Sequence, residues 1–159
     1  NEFIDYRIGF ATDIHLGVTL ADDFVAEAIT SLMKANIDLL ILGGDYIYVP
    51  DSPIALAFIE RKNLRYQDFS DPALNYEICR LVAQICLREI PPDGIMAVYG
   101  NHDRWTNPNA LSQTFRKHSI SLISNETRVI RRGNSVLTLI GAPHFMTGVP
   151  AILPLAAEK

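Results

Sequence analysis

Three short apolar runs constrain this chain more than any other feature: Tyr6–Ala11, Ile37–Leu42 and Ile95–Tyr99. Ile37–Leu42 carries a single charge, Asp38, before Gly43-Gly44. Runs this short and this apolar predict parallel strands buried on both faces. The segments between them have a different period. Ala21–Ala35 carries Phe24, Val25, Ala28, Ile29, Leu32 and Met33 in a helical stripe, with Asp22 and Asp23 near its start, and the Phe24, Ile29, Met33 line reads as core. Asp51-Ser52-Pro53 breaks the chain, and a mixed stretch runs on to Tyr66. Asp71-Pro72 opens a second helix, with Leu74, Ile78, Leu81, Val82 and Ile85 at helical spacing, and Pro91-Pro92-Asp93-Gly94 stops it. Strand, helix, strand, helix, strand is the pattern of an α/β fold with a mostly parallel sheet and right-handed crossovers.

Further on, Pro108 to Lys117 predicts a short helix. Ile120–Ile123, Arg128–Ile130 and Val136–Ile140 predict strands, the last two joined by a turn at Arg132-Gly133-Asn134. Ala151–Lys159 is expected to begin another helix. With no internal repeat, low-complexity tract or interdomain linker, residues 1–159 read as a single domain. The net charge of −4 argues against a partner such as nucleic acid, which needs a basic surface. No stretch reaches the apolar length that spans a bilayer. Cys79 and Cys86 lie seven apart in the second helix, a rise of about 10.5 Å, too far for one disulfide. They read as small apolar core residues.

The chemistry sits just past the three strands. Asp13-Ile14-His15 follows the first, Gly44-Asp45 the second, and Gly100-Asn101-His102-Asp103 the third. Ligands of open α/β sheets bind beyond the carboxyl ends of the strands, so all three clusters are predicted at one edge. Taken singly they are weak, because polar loop residues are usually solvated and Gly-Asp is ordinary turn chemistry. Together, carboxylate, imidazole and amide oxygen suit Mn, Fe or Zn better than soft metals. No phosphate-cradling glycine loop with lysine and no Gly-x-Ser-x-Gly elbow is present.

These three blocks resemble the first three motif blocks of the calcineurin-like metallophosphoesterases, and Asp13-Ile14-His15-Leu16-Gly17 and Trp105 suit that family as well. The resemblance implies a four-layer α/β/β/α sandwich and two divalent or trivalent metal ions. It implies that Asp13 and His15 bind the first metal, Asp45 bridges both, and Asn101 binds the second. His102 would then assist the leaving group, with Asp103 orienting it. The implied reaction is hydrolysis of phosphate mono- or diesters, or of a pyrophosphate linkage, by a hydroxide that bridges the metals.

The family's later blocks, a lone His after a strand and then Gly-His-x-His, have no counterpart here. The chain is therefore expected to be the N-terminal portion of such a domain. His144 is an additional ligand candidate, weighed against a solvated loop histidine. His118, near a helix end, carries less weight. Arg128, Arg131 and Arg132 flank a hairpin turn and read as solvated rather than lipid-binding. Trp105, Tyr46 and Tyr48 neighbour the motifs and read as pocket wall or core rim. The Asp-Ile-His-Leu-Gly and Gly-Gly-Asp-Tyr style is similar to bacterial membrane-associated phosphodiesterases and pyrophosphohydrolases, some of which cut lipid-linked nucleotides. That implies a phosphate-ester substrate, nucleotide- or lipid-linked, and a cytoplasmic or peripheral-membrane setting in a bacterium. The competing expectation is a binding or scaffolding module that keeps the fold without a competent site.

Overall fold

The computed structural model describes residues 2–15, 22–46, 90–105 and 108–142. Their elements are β1 (Ile8–Ala11), α1 (Asp22–Met33), β2 (Leu39–Leu42), β3 (Ile95–Ala97), α2 (Asn101–Trp105), α3 (Pro108–Lys117), β4 (Ile120–Leu122), β5 (Glu126–Arg132) and β6 (Ser135–Gly141). The sequence expectations for a helix after Asp71-Pro72, for Cys79 and Cys86, for the stretch ending at Tyr66, for Tyr48, for His144 and for a helix over 151–159 fall outside the described residues.

β1 to β4 form a parallel sheet in the order β1-β2-β3-β4. The register aligns Leu40 with Ile95 and Ile95 with Ile120, so alternate residues of neighbouring strands share a face. Leu40, Leu42, Ile95, Ala97 and Ile120 form one face and pack against Val25, Ile29 and Met33 of α1 and Leu111 and Phe115 of α3. Burying a side chain of this kind contributes about 1.5–3 kcal/mol, so the double-sided core fixes the register of the sheet. Leu39, Met96 and Ile123 face the other way, joined by half-buried Ile41, Val98, Ile130 and Leu139. The fold is thus the predicted α/β arrangement of a mostly parallel sheet and helices.

One core expectation changes. Phe24 is 58% exposed, while Val25, Ile29 and Met33 are buried. The inward line of α1 steps by four residues, and Phe24 lies about 100° round the helix from Val25. Asn36, held at φ +52°, takes the chain out of the helix.

β5 and β6 pair antiparallel, with Arg132 opposite Ser135 across a two-residue turn. Gly133 fills the first turn position at φ +54°, as a type II′ hairpin requires. Ile130 and Leu139 turn toward the sheet, and Val129, Val136 and Ile140 turn outward and are exposed.

Arg132 ties this ribbon to the amino ends of the strands. Its Nη2 lies 3.0 Å from both Asp38 Oδ1 and Asp93 Oδ2. The guanidinium sits 4.7 Å over the Tyr6 ring, and the Tyr6 hydroxyl donates to Asp93 at 2.8 Å. Burial, reinforced by that carboxylate, pushes the Tyr6 phenol above its ordinary range. The Arg7 N–H, 2.8 Å from Asp38 Oδ2, and then Arg132 hold the Asp38 carboxyl below its usual range. A depressed carboxylate stabilises above its unfolded pKa, and that contribution is lost as pH falls through the folded value. Arg132→Ala is therefore expected to lower the urea midpoint at pH 7, and this difference should shrink below about pH 4. Urea titrations of both proteins at several pH values check it. Among the described residues, no helix is long and apolar enough to cross a membrane.

Candidate metal centre

The loops after β1, β2 and β3 meet at the carboxyl edge of the sheet, and two glycines let them meet closely. A Cβ on Gly44 would collide with the backbone of Gly100, and a Cβ on Gly100 would collide with Asp45. Gly44 also sits at φ +100°, a conformation that side chains rarely adopt. Backbone bonds then lace the loops together: Asp13 N–H donates to Gly44 O at 3.1 Å and His15 N–H to Asp45 O at 2.9 Å. Asp13, His15 and Asp45 themselves lie at φ +56°, +42° and +55°. Three non-glycine residues in the left-handed region thus lie together at one edge.

The result is a convergent set of donors. His15, Asp45 and His102 present ligand atoms all within 4.8 Å of one another, and each residue is half-buried. The two imidazoles meet edge to face, 5.1 Å apart at 81°. Asp45 Oδ1 accepts the His102 N–H at 3.0 Å, which fixes the carboxylate against the start of α2. Asp13 stands beside the trio rather than in it. Its Oδ1 is 3.6 Å from His15 Nε2, its Oδ2 accepts the Thr12 hydroxyl at 2.9 Å, and its side chain is 62% exposed. Asn101 is the first residue of α2, directly before His102. Carboxylate and imidazole at this spacing suit a borderline cation such as Zn, Mn or Fe, so the residues present fit a metal.

Beneath the trio lies Asp103, fully buried. Its Oδ2 accepts N–H bonds from Asp45 and Gly100, both at 2.8 Å, and its Oδ1 accepts from Tyr46 at 2.9 Å. One carboxylate thereby locks the β2 loop to the β3 loop. Burial raises the Asp103 carboxyl to about 6, and the three N–H donors oppose that shift. Tyr46, also fully buried, reaches Leu42 O at 2.9 Å and Val98 O at 2.8 Å with its hydroxyl. The sequence reading of Tyr46 as pocket wall or core rim misses this cross-strand role, whose only trace is a tyrosine directly after Gly-Asp.

Arg104, which the motif reading passed over, lies 4.8 Å over the Tyr99 ring and donates to Ser124 at 3.1 Å. Only its place directly after Gly-Asn-His-Asp pointed to it.

Two comparisons bear on this geometry. The chain is 27% identical over 146 residues to the phosphodiesterase YaeI of Escherichia coli (strain K12), covering 90% of this chain and 45% of that protein. It thus spans about half the length of the curated relative it matches. The family model for calcineurin-like phosphoesterases matches residues 6–148, a span that includes all three strand-end loops. The chain belongs to the calcineurin-like phosphoesterase family.

Proposed function

We propose that the three loops supply Asp13, His15, Asp45 and Asn101 to a two-metal centre that hydrolyses phosphate mono- or diesters or a pyrophosphate linkage. The observation that carries this reading is the convergence of His15, Asp45 and His102 within 4.8 Å at the ends of three successive parallel strands. When bound, Mn, Fe or Zn ions supply Lewis acidity for the attacking water and the phosphoryl oxygens. Asp45 lies between the other two loops, which suits a bridging carboxylate. Asp13 and His15 complete one side, and Asn101 offers an amide oxygen on the other. His102 holds the proton that the departing oxygen takes as the ester bond breaks. Asp103 keeps His102 in place by fixing the start of α2. The substrate class we favour is a phosphodiester, in line with the name of the E. coli relative. A nucleotide- or lipid-linked ester falls within that class.

The leaving-group role has its own test. His102→Gln is expected to cost about 10²–10⁴-fold in kcat on an alkyl phosphodiester, whose alkoxide needs a proton. The loss should be much smaller on bis-p-nitrophenyl phosphate, whose phenolate leaves unaided. Equal losses on both substrates would rule out the acid role.

A further inference from the structure

A second polar concavity lies along β4, apart from the metal-binding trio. Among the described residues β4 is the last strand of the parallel sheet and pairs only with β3. A groove of about 620 Å³ follows the three residues of that strand, Ile120 to Leu122, and Ser119 just before them. Ser112 and Arg116 of α3 close one side, and Glu126 and Arg128 of β5 the other. At the carboxyl end the walls are Tyr99 and Ser124. Both touch Arg104, which lies two residues past His102. The Arg104 Nε is buried without a hydrogen-bond partner. The groove therefore ends beside the helix that carries the metal-site histidine.

Its chemistry is specific. Four serine hydroxyls line it, at Ser112, Ser119, Ser121 and Ser124. Three guanidiniums stand in or behind its walls. Glu126, 3.2 Å from Arg128, offsets one of them. Arg116 has no carboxylate partner among the described residues. Guanidinium forks and hydroxyl donors match the oxygens of a phosphoryl group, and the volume is that of a small-ligand site. The arginines outnumber the one carboxylate there, in a chain whose net charge is −4.

We propose that this groove binds a phosphoryl group held outside the metal centre. Two sources have the same chemistry: a second phosphoryl group of the substrate, or a separate phosphate anion. The substrate source rests on the phosphoesterase reading above. The binding itself does not.

The first arm uses the full chain, stripped of metal with EDTA and titrated with inorganic phosphate while backbone amide shifts are followed. Saturable shifts are expected at Ser119–Ser124. The double variant Arg116→Ala/Arg128→Ala should raise Kd about tenfold for each guanidinium that contacts the anion. Glu126→Gln should lower Kd several-fold. These residues are half-buried or exposed, so folding is not at stake. The second arm loads the chain with Mn²⁺ and compares an alkyl phosphodiester with the same ester bearing a second phosphate. A KM increase in the double variant confined to the doubly phosphorylated substrate, with kcat unchanged, assigns the substrate source. Equal KM values for both substrates, with phosphate binding still weakened, assign a separate anion. A chain inert to both substrates would end the phosphoesterase reading and leave the first arm to decide the groove. Absence of shifts along β4, or a Kd unchanged in the double variant, would overturn the proposal.

Discussion

Gly44→Ala is expected to cost the chain about 2–5 kcal/mol of stability and on the order of 100-fold in metal affinity. The added methyl would have to occupy space filled by the Gly100 backbone, and neither loop can retreat without breaking a bond of the lace. The φ of +100° adds a backbone penalty of about 1–2 kcal/mol. Gly94→Ala separates the two contributions, because Gly94 also has positive φ, +84°, but nothing within 4 Å of its Cβ position. That control should show the backbone penalty alone, with metal affinity unchanged. Urea unfolding and metal titration of the two variants side by side give the comparison.

Asp103→Ala should be nearly as damaging, by another route. It would leave the buried N–H group of Tyr46 and the half-buried N–H groups of Asp45 and Gly100 without their acceptor. An orphaned buried donor costs about 1–3 kcal/mol, and partial relaxation brings the expected sum to about 3–5 kcal/mol. Asp103→Asn should cost less. Its single oxygen can still serve Asp45 and Gly100, while its amide meets the Tyr46 N–H donor to donor. Both variants should lose metal affinity, because the carboxylate they alter holds together the loops bearing Asp45 and His102. A metal affinity unchanged in either variant would show that the loops keep their places without this latch.

Those two residues also mark where the sequence was legible. The parallel strands could be read because each is a short apolar run that ends in glycine or a polar cluster. α3 could be read from Pro108 and its apolar spacing. The strand-end motifs put Asp13, His15, Asp45, Asn101, His102 and Asp103 at one topological edge, where His15, Asp45 and His102 come within 4.8 Å of one another. Phe24 is exposed although its apolar character suggests core, because the 100° helical step takes it out of the inward stripe. The role of Asp103 as a latch was hidden for a different reason. Two of its three partners are backbone N–H groups 57 and 58 residues away, which no local pattern encodes. The Arg132 bridge to Asp38 and Asp93 was hidden likewise, and a basic hairpin turn read as solvated proved to be partly a clamp.

The central claim is that the three strand-end loops together hold metal for phosphate-ester hydrolysis. Asp45→Asn addresses it with little change of shape, because the amide oxygen can keep the bond from the His102 N–H. The measurement is bound metal per chain together with Mn²⁺-dependent hydrolysis of bis-p-nitrophenyl phosphate, for the chain and for Asp45→Asn. Bound metal and turnover in the chain, both falling at least about 100-fold in the variant while it stays folded, are the expected result. A chain that binds no metal and turns over no substrate, or a variant that matches it in both, would contradict the claim and favour a scaffolding module.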